Sequence, residues 1–204
     1  MNPVINWLSP KSALSIIVAT SFAAGLNVYA VILTIGLLAR VGRIALPPSL
    51  DALESWWVIG ASAALFFVEF FGDKIPAFDL LWSALHTFIR VPVAALLSYL
   101  AADQLPLEMR VLCTLAGGLI ALAAHGGKTA LRAVITPSPE PLSNITLSVG
   151  EDVVAIGLTA LATKHPYLAA GIALTGVLLI VVLIRFVVRA LRALFAGAEH
   201  VLEG

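Results

Sequence analysis

This sequence is short of charge: 12% of its 204 residues are Asp, Glu, Lys or Arg, against about 25% in a soluble domain. With 60% hydrophobic residues and a mean hydropathy of +1.02, it holds more apolar surface than a small water-soluble domain can bury. A water-soluble fold is excluded, and lipid remains as the solvent for these side chains. An excess of either sign is also missing, since Lys plus Arg and Asp plus Glu each number 12. That balance argues against a nucleic-acid partner and against a polybasic patch for lipid headgroups. Cys113 stands alone, so no internal disulfide can form, and its apolar neighbours mark it as a buried, inert thiol. The segment from Met1 to Lys11 has no basic stretch ahead of the apolar run, so the first hydrophobic segment is expected to stay as a span. Motifs of soluble catalysis are absent too: no Gly-x-x-x-x-Gly-Lys loop, no His-Glu-x-x-His and no cysteine cluster. Nucleotide hydrolysis and zinc catalysis therefore have no support, and no catalytic residue, metal or cofactor is expected. The run Gly126-Gly127-Lys128-Thr129 is close to a phosphate loop but lacks the leading glycine.

What the chain does have is a series of apolar runs. A span needs about 20 mostly apolar residues. Six candidates run from about Ser12 to Ala39, Trp56 to Phe71, Asp79 to Ala102, Leu107 to Ala124, Ile145 to Ala162 and Tyr167 to Ala190. Turn formers separate them at Pro47-Pro48, Gly72 to Pro76, Asp103 with Pro106, Pro137 to Pro141, and Lys164-His165-Pro166. Trp56, Trp57, Trp82 and Tyr167 lie near span ends, where aromatic rings favour the headgroup level. The expected fold is all-α: a polytopic membrane protein of about six transmembrane helices in one domain over residues 1–204.

The first and fourth spans are expected to be interrupted. Both carry small residues, Ala23-Ala24-Gly25 ahead of Asn27 in the first, and Gly117-Gly118 then Gly126-Gly127 in the fourth. Glycine inside a helix either lets helices pack closely or lets them break. Paired interruptions in two halves point to a transport site. Sliding the sequence by 90 residues aligns Pro47 with Pro137, Gly60 with Gly150, Lys74 with Lys164 and Pro76 with Pro166. Each half, about 12–102 and 107–195, then holds three spans, and an odd number makes the second half enter from the opposite side. The expectation is a 3+3 inverted repeat. With six spans, Lys11, Lys74, Lys128, Arg132, Arg185, Arg189 and Arg192 fall on the side of the termini, and Arg40, Arg43, Arg110 and Lys164 fall opposite. That excess favours cytoplasmic termini in a bacterial inner membrane.

Ionisable groups at membrane depth are costly and should face a bundle interior or a wet cavity. At about 100° per residue, Asp79, Ser83, His86 and Arg90 share one face of the third span, while Ser55, Ser62, Glu69 and Asp73 share one of the second. The fourth carries Thr114, Gly118, Ala121, His125, Lys128 and Arg132 in one stripe. The fifth carries Ser148, Asp152, Thr159 and Thr163, with Asn144 and Glu151 alongside. Thr20, Asn27 and Thr34 recur at heptad spacing in the first. The candidate pathway residues are Glu69, Asp73, His86, Arg90, His125, Lys128, Glu151 and Asp152. Each also has a structural reading. Asp73 and Glu69 can reach the interface, Arg90 needs an acid such as either of them, and the histidines can bridge helices. Lys128 and Arg132 can belong to a helix extension at the membrane surface, and Glu151 and Asp152 can favour a helix N-terminus. The last span lacks such a stripe and reads as a lipid-facing support.

The stretch Phe66 to Pro76, with Trp82 and His86-Thr-Phe-Ile-Arg90, resembles the signature region of a bacterial membrane-protein family, domain of unknown function 4126. Ser138 to Asn144, Glu151-Asp152 and His165-Pro166 resemble its second half, so the likeness runs from about Gly25 to Arg185. It implies a small multi-pass protein and brings no activity with it. From the residues themselves, the function expected is a small transporter or channel, proton-linked and handling an anionic solute, in the lipid bilayer and possible as an oligomer. Glu69 and Asp152 would carry protons, Arg90 would anchor the anion, and His125 would gate or relay. The alternatives are a non-catalytic assembly subunit whose buried charges fix helix register, or a membrane enzyme acting on lipid phosphates.

Overall fold

The computed structural model describes residues 10–72, 76–135 and 141–202. These form helices α1 (Pro10–Arg40), α2 (Trp56–Gly72), α3 (Pro76–Ala101), α4 (Leu107–Ile135), α5 (Pro141–Lys164) and α6 (Pro166–Leu202). A short 3-10 helix, Pro48–Glu54, precedes α2, and no strand occurs among the described residues. Pro10, Pro76, Pro141 and Pro166 each open a helix. At that position the fixed φ suits the first turn and the missing N–H costs nothing.

Four helices are long and apolar enough to cross a membrane: Ser12–Arg40, Leu107–Arg132, Ile145–Lys164 and Pro166–Arg189. A fifth crossing results if the 3-10 helix and α2, which meet at 63°, are one bent span. α3 contributes a shorter apolar stretch, Leu85–Ala101. Large side chains such as Phe88, Leu119, Leu178, Leu179 and Phe186 point outward from the bundle. An apolar surface of this extent suits lipid hydrocarbon and not water. The chain is an all-helical, multi-pass membrane protein.

α1 is the axis of the bundle and packs against all five other α-helices. Within its apolar stretch 78% of the residues are buried, against 6% in that of α6. Small residues allow this close approach. A Cβ added at Gly25 would run into the Ala121 carbonyl and stand 2.6 Å from Ala124 Cβ of α4. Ser21 and Ser98 join α1 to α3 through a 3.0 Å hydroxyl bond, directly over Gly117 of α4.

Of the two interruptions expected, one is present. α1 leaves helical geometry at Asn27 (φ −152°, ψ 103°). α4, by contrast, is one continuous helix from Leu107 to Ile135. Its glycines serve packing instead: Gly117 lies against Ser98 and Ser21, Gly127 against Ile180 of α6, and Gly118 against Ala95. Gly126 has open space beside it. Continuous i→i−4 bonding costs α4 little at a glycine, whereas α1 gains new polar partners where it breaks.

Candidate functional site

The break in α1 releases backbone groups that a continuous helix would pair. Ala30 N–H, whose ordinary partner is the Leu26 carbonyl, donates instead to Asn27 Oδ1 at 2.9 Å. Asn27 therefore caps the second half of α1, as an Asn at a helix start does. The Leu26 carbonyl is left for another donor and receives Lys128 Nζ at 3.3 Å. One residue earlier, the Gly25 carbonyl lies 3.5 Å from Arg90 Nη1. Two cations thus meet the carbonyl end of the first half-helix, the end a helix dipole makes negative. Asn27 Nδ2 meanwhile donates to Asp152 Oδ1 at 2.8 Å.

Around this break the other helices bring charged side chains into a buried cluster. Arg90 of α3 donates to Glu69 Oε1 of α2. Its Nη1 also lies 2.9 Å from His125 Nδ1 of α4. A guanidinium only donates, so His125 Nδ1 accepts, and Nε2 carries the proton toward Thr87 Oγ1 at 2.7 Å. In this arrangement the imidazole is neutral. His86 stands beside Glu69, 4.0 Å from Oε2, and its Nε2 shares a 3.2 Å hydrogen bond with Tyr29 OH. On the other flank Arg132 donates to Glu151 Oε2 at 2.8 Å. Lys128 links the two flanks, 3.1 Å from Glu151 Oε2 and 3.7 Å from Glu69 Oε1.

Burial makes these contacts matter. Glu69 and Arg90 are 0% exposed, and His86, His125, Lys128, Arg132, Glu151 and Asp152 are all buried. An ion taken out of water persists only when it is paired and hydrogen-bonded. Among the described residues, Glu69 and Glu151 are paired with Arg90, Lys128 and Arg132, and buried Asp152 accepts from Asn27.

Seven of the eight candidate pathway residues thus come together, and Asp73 lies outside the described residues. Asp79, Ser83 and Asn144 belong to helix segments whose side chains are likewise not described. Lys128 and Arg132 are both buried and turned inward to Glu151. Glu151 and Asp152 do not sit at a helix N-terminus. α5 starts at Pro141, and the two acids lie nearly three turns inside it. Thr20, Thr34 and Thr159 bond back to carbonyls of their own helices and add nothing to the cluster. Tyr29 and Thr87 escaped the sequence reading, although a phenol two residues from Asn27 in an apolar run was a usable signal. Among the described residues no group of His, Cys, Asp and Glu could hold a metal ion.

The model of one family, domain of unknown function (DUF4126), matches residues 14–186. The chain belongs to that family. No curated protein and no solved structure matches it.

Proposed function

We propose that this chain is a small membrane transporter or channel, proton-linked and handling an anionic solute, with its pathway at the cluster around Asn27. The observation that carries this reading is a helix broken in mid-bundle with its freed ends met by buried ionisable groups from α2 to α5. Discontinuous helices of this kind form substrate and ion sites in transporters, where the half-helix ends supply fixed partial charges. Glu69 and Asp152 are the proposed proton carriers, Arg90 the anion anchor and His125 the gate.

The proposed frame is six spans in a 3+3 inverted repeat. In its favour, Pro76 and Pro166, equivalent under the 90-residue shift, each open the third helix of their half. Packing of α1 on α6 also has its counterpart in α4 on α3. The halves differ in that α5 packs closely on α1, whereas α2 meets α4 among the described residues through Glu69 and Lys128 without close helix packing. We place the protein in a bacterial inner membrane with cytoplasmic termini. Support for that orientation comes from five basic residues (Lys11, Lys74, Arg185, Arg189, Arg192) against four opposite, once buried Lys128 and Arg132 are left out.

The pairing of Glu69 and Glu151 with Arg90, Lys128 and Arg132 favours a second reading, a non-catalytic assembly subunit whose charges fix helix register. Flux separates the two. Sealed proteoliposomes holding the purified protein should conduct protons or small anions, and Glu69→Gln should lower that flux at least about tenfold, the scale of losing a charged group from a relay. A folded Glu69→Gln protein with undiminished flux would sink the relay role, and no flux from the wild type would leave the assembly reading.

A further inference from the structure

Lys128 Nζ sits among oxygens contributed by three different helices. They are the Leu26 carbonyl of α1 at 3.3 Å, Glu151 Oε2 of α5 at 3.1 Å and Glu69 Oε1 of α2 at 3.7 Å. The first of these oxygens exists as an acceptor only because α1 breaks at Asn27, whose side chain takes over the Ala30 N–H. A carbonyl at the end of a half-helix, joined by carboxylates, is how unwound helices hold a coupling cation. Here the ammonium of the protein's own lysine stands at that point. Magnesium and calcium need oxygens at about 2.0–2.6 Å, so a hollow with oxygens at 3.1–3.7 Å suits a large monovalent ion.

We propose that Lys128 is a tethered cation filling a monovalent-cation site, so that shortening this side chain opens the site to a free ion of ammonium or potassium size. The charge balance requires a replacement. In Lys128→Ala the buried carboxylates of Glu69 and Glu151 keep the guanidiniums of Arg90 and Arg132 and lose the ammonium beside them. One positive charge is then missing from a buried site. Glu151 Oε1, buried and without a hydrogen-bond partner, is a further oxygen that an untethered ion can recruit. In the native chain, the ammonium of Lys128 therefore occupies the site in place of an ion from solution.

The test compares wild type, Lys128→Ala and Lys128→Met, purified in detergent, by thermal unfolding in choline, ammonium or potassium chloride at one ionic strength. Lys128→Ala should unfold roughly 10 °C below wild type in choline, the shift expected for an uncompensated buried charge. It should recover most of that loss in ammonium or potassium, saturably. Lys128→Met, whose side chain fills the same space without charge, should not recover, and wild type should not respond. If Lys128→Ala fails to fold in choline, it should be recovered as a monodisperse species only when ammonium or potassium is present during solubilisation. Equal behaviour of Lys128→Ala in all three salts overturns the proposal, and so does a wild type that is stabilised as strongly as the variant. No step depends on flux, so a protein that transports nothing but shows the rescue contradicts the transport reading alone.

Discussion

α1 and α6 are both apolar enough to cross a membrane, yet one is the most buried helix of the bundle and the other the most exposed. Apolarity does not separate them. α1 interleaves Ser21, Gly25, Asn27 and Tyr29 with its aliphatic residues, and each of the four faces another helix. Beyond Gly176, which seats Phe22 of α1, α6 runs on in Leu, Ile and Val as far as Arg185 with an outward surface. In lipid, aliphatic side chains gain little from leaving the hydrocarbon, so helices associate through small residues and polar bonds. The helix with those residues becomes the axis, and the helix without them becomes the wall.

Substitutions in the two helices and their partners can break or sharpen this contrast. The largest effect is expected for Arg90→Leu, which strips the cation from Glu69, His125 and the Gly25 carbonyl. Removing one partner of a buried pair costs about 3–5 kcal/mol. The exposed Arg185 of α6 should give a change within about 0.5 kcal/mol when made Leu, and similar losses at both positions would dissolve the distinction. Asn27→Ala removes the cap on Ala30 and the donor to Asp152 and should cost about 1–3 kcal/mol. Hydrogen exchange at residues 28–31 should accelerate in that variant, whereas unchanged protection would show that the cap is dispensable. Gly25→Ala forces α1 away from Ala121 and Ala124 and should cost about 1–3 kcal/mol by overpacking. Gly171→Ala in α6, with open space at its Cβ, should be neutral or stabilise by up to about 1 kcal/mol. The smallest effect belongs to Leu178→Ile on the outer face of α6, within about 0.5 kcal/mol. A larger loss there would mean that another protein surface covers this face.

Much of the cluster was legible in the sequence because a charge in an apolar run must find an interior. The spacing of His86 and Arg90, of His125, Lys128 and Arg132, and of Ser148 with Asp152 named the inward faces before any contact was known. The outward character of α6 followed from the absence of such a stripe. The state of α4 was not legible. Gly117, Gly118, Gly126 and Gly127 signal backbone freedom and close approach equally well, and only the positions of Ser98 and Ile180 decide for packing. The site of the break in α1 was similarly ambiguous, since Asn27 in an apolar helix reads equally as a bridge between helices. It is both: its side chain caps one half-helix and reaches Asp152. Lys128 illustrates the remaining gap. Sequence places it near the end of a span, where a surface position is cheaper, and the acid that draws it inward lies on another helix.

The central claim is that a solute and water reach the cluster at Asn27. Ser148 lies on the face of α5 one turn from Asp152, fully buried and with no hydrogen-bond partner for its hydroxyl, so cysteine fits there with little disturbance. With Cys113→Ala as background, Ser148→Cys in sealed vesicles of known orientation can be challenged with a membrane-impermeant thiol reagent from each side in turn. A pathway predicts labelling from at least one side, slowed when the transported anion is present. A folded protein whose Ser148→Cys thiol stays unlabelled from both sides would contradict the claim and leave the charges as a device for holding helices in register.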